Sequence, residues 1–276
     1  MAGEGSHRCE GLIRFLRLLL RRRAAMRAGS LLRTLSHIRD PRQAAVYLGD
    51  WLRPLPPEAV VSNLDALLEG VERKDPGSDL AVQALLCPEL KSSWGAGKAR
   101  QVQELARKEG KFDLAAILLD LPAADSRFDT PPGKMNRDLE KIPLGRRKSL
   151  ARRNDIFLME RLLSDSDRSV ILNLLDNPRL TLREVVGLAS QPNASEEVLE
   201  TIALHPRWTS RYQVKVTLAH NPSTPVRITL GLLRLLMSQD LREIARDGRL
   251  SRVVRHRAEH VLRRKETGNA GSGYDV

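Results

Sequence analysis

The chain has 276 residues, 29% of them charged and 4% aromatic, and carries a net charge of +12. This length accommodates one large helical array or two domains, and so few aromatics point away from a β-sandwich and toward a core of Leu, Val, Ile and Ala. The two cysteines, Cys9 and Cys87, make neither a disulfide scaffold nor a metal-ligand spacing, and no span reaches the roughly 20 apolar residues of a membrane helix, so a reducing cytoplasm is expected.

Residues 1–10 carry no periodic pattern and are expected to be disordered. In 11–27, Leu12, Ile13, Phe15, Leu16, Leu18, Leu19 and Leu20 are threaded with Arg14, Arg17, Arg21, Arg22 and Arg23. Basic residues inside and after the apolar run do not fit a signal peptide. The segment reads as a first packed helix, with peripheral contact to an anionic membrane as the alternative; Met26 is a second candidate start. The first 39 residues hold nine Arg against two Glu.

Helical periodicity continues over 41–51, 57–71, 79–86, 98–108 and 112–119. Val60, Val61, Leu64, Leu67, Leu68 and Val71 lie on one face, and Ala106 and Ala115 are small contact positions in a helical hairpin. This half is acidic. Gly95-Ala96-Gly97-Lys98 resembles the end of a phosphate loop, but Ser92 and Ala99 stand where that loop needs Gly and Ser or Thr. It reads as a turn before a helix. Pro122, Pro131-Pro132-Gly133 and Pro143 then make 121–143 a Pro-rich linker or long loop between a helical region, 11–120, and a repeat region, 144–266.

One phrase recurs in the repeat region: Leu174-Leu175-Asp176-Asn177-Pro178, Leu188-Ala189-Ser190-Gln191-Pro192, Ile202-Ala203-Leu204-His205-Pro206 and Leu218-Ala219-His220-Asn221-Pro222. The copies start 14, 14 and 16 residues apart, so each unit is one short helix and a turn. Proline disfavours the helical conformation in the residue before it, and Asn there tolerates the left-handed conformation that often closes a helix. Thr181, Ser195, Thr209 and Thr224 read as caps of the helices that follow. Leu182, Val185, Val186 and Ala189, then Val198, Leu199, Ile202 and Ala203, form buried stripes. Leu150-Ala151-Arg152-Arg153-Asn154 and Leu162-Leu163-Ser164-Asp165-Ser166 read as copies without the proline. Further helices over 232–237, 241–245 and 253–262 close the array, and 267–276 reads as a disordered tail.

These turns and stripes resemble bacterial HEAT-like and leucine-rich-repeat-variant proteins over about residues 145–265, although the unit length departs from the leucine-rich variant. The resemblance implies an all-α fold, a right-handed HEAT-like or ARM-like α-solenoid of short stacked helices with a helical amino-terminal half. It also implies an extended interaction surface, and it carries over no catalytic residue. HEAT-like alkylpurine DNA glycosylases show that such an array can hold a duplex on a basic concave face.

His256-Arg257-Ala258-Glu259-His260 matches an inverted zinc-peptidase string, but five arginines crowd it and no clear third ligand follows, so a solvated helix face is expected. Asp165 and Asp167 read as caps at a helix start, and His205 and His220 as turn residues. Two basic clusters remain. Arg146-Arg147-Lys148-Ser149-Leu150-Ala151-Arg152-Arg153 opens the repeats, with Ser149 either a modifiable residue or ordinary helix surface. Arg207-Trp208, Arg211-Tyr212 and Lys215 interleave cations with aromatics, a base-stacking pattern, although Trp208 closing the turn over the core and Tyr212 packing beside it is the favoured reading. The candidate partner-binding residues are therefore Arg146, Arg147, Arg152, Arg153, Trp208, Arg211, Tyr212 and Lys215. The expected function is a non-enzymatic protein-interaction or scaffolding module with an acidic protein partner and no cofactor or metal; nucleic acid is the alternative partner.

Overall fold

A computed structural model describes residues 29–72, 75, 77–118, 139, 141–153, 155–163, 165, 167–192 and 194–270. Every regular element among the described residues is a helix. The expected helix at 11–27 and most of the 121–143 linker lie outside the described residues. The chain divides into two compact units, Met1–Leu119 and Asp120–Val276.

In the first unit, residues 29–35 are helical and are followed by α1 (Pro41–Leu52), α2 (Pro57–Glu72), α3 (Ser78–Leu86), α4 (Pro88–Ser92), α5 (Ala96–Lys108) and α6 (Phe112–Leu118). Asp40 starts α1 by accepting from Arg42 N at 2.9 Å, with Pro41 at the first helical position. All six residues of the α2 stripe are buried, from Val60 to Val71. Helix α4 is an element the periodicity did not anticipate. Pro88 holds Cys87 extended (φ −72°, ψ 134°), which stops α3 and starts a one-turn helix. Helix α1 packs on α3 and α4, α2 on α3 and α5, and α5 on α6.

The α5–α6 hairpin turns on Gly110 at φ 73°. Lys111 N donates to Ala106 O at 2.8 Å and Gly110 N to Arg107 O at 3.1 Å, the paired bonds of a left-handed helix stop. Ala106 and Ala115 are both buried. The Gly95 turn does precede a helix, and Lys98 Nζ donates to Leu52 O, Arg53 O and Leu55 O at 3.0, 2.6 and 2.6 Å. That ammonium closes the end of α1.

The second unit comprises α7 (Leu144–Ala151), α8 (Ile156–Leu162), α9 (Arg168–Leu175), α10 (Leu182–Ala189), α11 (Glu196–Ala203), α12 (Pro206–Thr209), α13 (Tyr212–His220), α14 (Val226–Leu233), α15 (Ser238–Arg246) and α16 (Arg252–Ala270). Most are about two turns long and too short to persist alone, so each is held by the apolar face it buries. Helix α9 buries Val170, Ile171, Leu174 and Leu175; α11 buries Val198, Leu199, Ile202 and Ala203. Each such Leu, Ile or Val contributes about 1.5–3 kcal/mol on burial.

Contacts skip along the chain. Helix α9 packs on both α7 and α11, α10 on α13, and α14 on α16, while α13 also meets α14 and α15 meets α16. Arg227 on α14 reaches Glu200 on α11 at 2.6 Å. The 16-residue interval in the turn phrase is explained by α12, a single turn begun by Pro206. Helix α16 runs on through Ala270, past the expected start of the tail at 267.

Candidate functional site

The turns between the short helices are built from one repeated contact. Asn177 donates through Nδ2 to Ala151 O and Arg153 O, both at 2.9 Å, while its Oδ1 accepts from Arg179 N at 3.0 Å. Asn221 repeats this: Nδ2 donates to Ala189 O and Gln191 O at 2.7 and 2.8 Å, and Oδ1 accepts from Ser223 N at 2.9 Å. Both side chains are buried. Each Asn thus closes the carbonyl end of another helix, α7 or α10, and orders its own turn with the remaining oxygen. Asp165 and Asp247 keep the second half of the pattern, accepting from Asp167 N at 2.9 Å and Arg249 N at 3.0 Å.

The turn Asn does not use the left-handed conformation it could tolerate. Asn221 is extended (φ −83°, ψ 118°), not left-handed, because the following proline disfavours helical geometry. Its amide serves a neighbouring helix rather than its own. The hydroxyl residues divide. Thr181 N and Oγ1 both donate to Glu184 Oε2, at 2.6 and 2.9 Å, and Ser195 Oγ accepts from Val198 N at 3.3 Å, so these two start α10 and α11 as expected. Thr209 and Thr224 instead turn backward: Thr209 Oγ1 donates to Ala203 O at 2.6 Å and Thr224 Oγ1 to Leu218 O at 2.7 Å. Asp167 caps α9, accepting from Ser169 N at 2.9 Å and Val170 N at 3.2 Å.

At the third turn His205 replaces Asn, and three side chains do the joining. Trp208 Nε1 donates to Leu175 O at 2.8 Å, and Arg207 donates to Asn177 O, Pro178 O and Leu180 O at 2.8, 3.3 and 3.1 Å. The Arg207 guanidinium lies 4.3 Å from the Trp208 ring centroid. His205 Nε2 meets Asp176 Oδ1 at 3.1 Å, and its buried Nδ1 has no hydrogen-bond partner among the described residues. Burial pushes the His205 pKa below its ordinary value, with the Asp176 carboxylate opposing the shift.

The expected binding residues separate into two groups. Trp208 and Lys215 are buried, so neither presents a surface to a partner. The Tyr212 hydroxyl donates to the Asp240 carboxylate and accepts from Met237 N at 2.8 Å; burial and that carboxylate push its pKa up to about 12. Arg147 is also structural, donating to both oxygens of the fully buried Asp165 at 2.6 and 2.5 Å and to Ile142 O at 3.2 Å. Arg146, Arg152, Arg153 and Arg211 are exposed; Arg152 donates to Asn173 Oδ1 at 3.0 Å.

Exposed Arg153 and Arg179 flank the same Asn177 clip, and Arg211 N donates to Trp208 O at 2.9 Å in the turn bonded to Leu175. Sequence reasoning missed Arg179. The signal was its place directly after the turn proline, a position that Arg207 fills two copies later.

His256 and His260 are exposed on α16, where His260 Nδ1 lies 3.0 Å from Arg257 and Glu259 pairs with Arg263 at 3.5 Å. Among the described residues no group of three His, Cys, Asp or Glu is placed to hold a metal ion, and no helix is long and apolar enough to cross a membrane. An open cleft lies among Leu163, Thr181, Arg183, Glu184, Leu188 and Gln191. No family model, curated protein or solved structure matches the chain.

Proposed function

We propose that residues 144–266 form a HEAT-like, right-handed α-solenoid and that the protein is a non-enzymatic interaction or scaffolding module of the cytoplasm. The observation that supports this reading is the recurrence of one side-chain clip at Asn177 and Asn221, with His205, Arg207 and Trp208 taking its place between them. Each clip joins a turn to one more than twenty residues earlier, skipping the turns between, so residues beside the joined turns come into register along an edge, the surface through which stacked-repeat proteins hold extended partners.

Affinity capture with the full chain, followed by reconstitution with the purified partner, tests the proposal. A saturable complex with a protein supports it. Recovery of nucleic acid alone, lost on nuclease treatment, replaces it with the second reading.

That second reading, a nucleic-acid-binding array, is favoured by charge: residues 141–276 hold 24 basic against 15 acidic groups. Phosphate-driven affinity falls steeply with salt, so DNA and RNA titrations between 50 and 200 mM salt decide it. Absence of micromolar binding at low salt removes it.

A further inference from the structure

Building on a role as an interaction module, we propose that the turn edge marked by Arg153, Arg179 and Arg211 is a docking rail for an extended acidic polypeptide segment. The three arginines belong to the turns closing α7, α9 and the α11–α12 pair, and the clip geometry ties these turns together: Asn177 holds Arg153 O and Arg179 N, and Trp208 joins Leu175 O to the turn of Arg211. All three side chains are exposed, and their guanidinium groups pair with no other described residue.

Arginines beside helix carboxyl ends are ordinarily explained by orphan carbonyls and the helix dipole. Here that work is already done. Ala151 O and Arg153 O are taken by Asn177, Leu175 O by Trp208, and Asn177 O, Pro178 O and Leu180 O by Arg207. Asp176, the acidic neighbour on the edge, meets His205 through Oδ1 but stays largely exposed, so it offsets one charge of the edge. Three cations are left facing solvent.

Their spacing selects the partner. Packed helices lie about 8–10 Å apart, so the backbones of the stacked turns that carry these arginines recur at roughly that interval, within the reach of their long side chains. A polyproline-type extended segment rises about 3.1 Å per residue with three residues per turn, and so returns a side chain to one face about every 9 Å. Glu or Asp at every third position then meets successive arginines in bidentate pairs. Nucleic acid fits less well. Duplex phosphates recur about every 3.4 Å of helix axis on each strand, and the aromatics interleaved with the cations at 207–215 are committed, Trp208 to the core and Tyr212 to Asp240.

Fluorescence anisotropy with the full chain tests this, using a labelled peptide with Glu at every third position, a same-composition peptide with its Glu clustered, and single-stranded and duplex DNA of equal charge. The periodic peptide is expected to bind best. R153E/R179E/R211E should weaken it by about tenfold or more, whereas R183E/R246E/R252E, an equal charge change at other exposed arginines, should weaken it by less than about threefold. Urea midpoints verify that the variants fold, and R153Q/R179Q/R211Q gives the same comparison if the reversals do not. Equal loss in both triple variants, tighter DNA binding lost with the edge triple, or no peptide binding overturns the rail. A captured protein partner that still binds R153E/R179E/R211E also discards the rail while leaving the interaction role intact; capture of no protein removes that role itself.

Discussion

Arg146 and Arg147 are adjacent, identical in type and opposite in consequence. Arg147 neutralises Asp165, a carboxylate with no solvent exposure, whereas Arg146 is exposed. Removing one partner of a buried ion pair strands the other charge, so Arg147→Ala should cost about 3–5 kcal/mol, and Arg146→Ala should stay within about 0.5 kcal/mol. Urea unfolding of the two variants checks the contrast. Asn177→Ala and Asn221→Ala each leave two carbonyls and a turn N–H without their partner, and each should lower stability by about 1–3 kcal/mol. Gln191→Ala, at the exposed equivalent of the same phrase, should be nearly silent.

His205 gives the third turn a pH dependence. Its folded pKa lies below the ordinary 6.5 because burial disfavours the imidazolium. The unfolded chain therefore takes up this proton first, and the stability present above pH 6.5 is lost as pH falls below 6.5 toward the folded value. Urea midpoints at pH 7.5 and 5.5 should diverge in the wild-type chain and converge in His205→Gln. Asp247 acts in a lower window. Hydrogen bonds from Arg249 hold its carboxyl at about 2 against 3.8, so its contribution persists above pH 3.8 and disappears as pH approaches 2.

Among the elements, the α5–α6 hairpin isolates a backbone requirement. Gly110 adopts φ 73° with open space where a Cβ would stand, so Gly110→Ala meets no steric neighbour and only the left-handed backbone penalty. A loss of about 1 kcal/mol, measured by urea unfolding, is expected. Helix existence was largely written in the pattern, since α2, α5, α10, α11 and α13 lie where apolar stripes and prolines placed them. The misses were a displaced helix and two single turns: 232–237, expected to be helical, is the end of α14 and the turn after it. Helices α4 and α12 are too short to show a period and exist because Pro88 and Pro206 pre-set a first helical residue. Thr209 and Thr224 were misjudged for a related reason: the same hydroxyl can serve the helix before or the helix after, and packing selects which carbonyls lie in reach.

At the scale of the whole molecule, the second unit closes on itself through side-chain clips between non-consecutive helices. Trp208 is the sole tryptophan after Trp94 and is buried there, so the full chain with Trp51 and Trp94 replaced by Phe reports that unit by fluorescence. A single cooperative transition is expected, and Asn177→Ala or Asn221→Ala should shift it as a whole. A graded emission change would mean that the rungs melt separately.

What the sequence determined by itself was local: helical periodicity, the stops before proline, and an interior of small and aliphatic residues, each encoded within a few neighbouring positions. It also marked the turn phrase without assigning its work. Tertiary structure decided which polar groups are buried. Asn177 bonds carbonyls 24 and 26 residues back, Trp208 one 33 residues back and Arg147 a carboxylate 18 residues on. A hydrogen bond needs a partner within about 3 Å, and no single-helix pattern names a partner from another helix. For that reason Arg147 and Lys215 resembled surface cations in the sequence, whereas Trp208 is buried as the turn reading favoured, and Arg179, a plain residue after a proline, was left beside two other solvent-facing arginines on the edge.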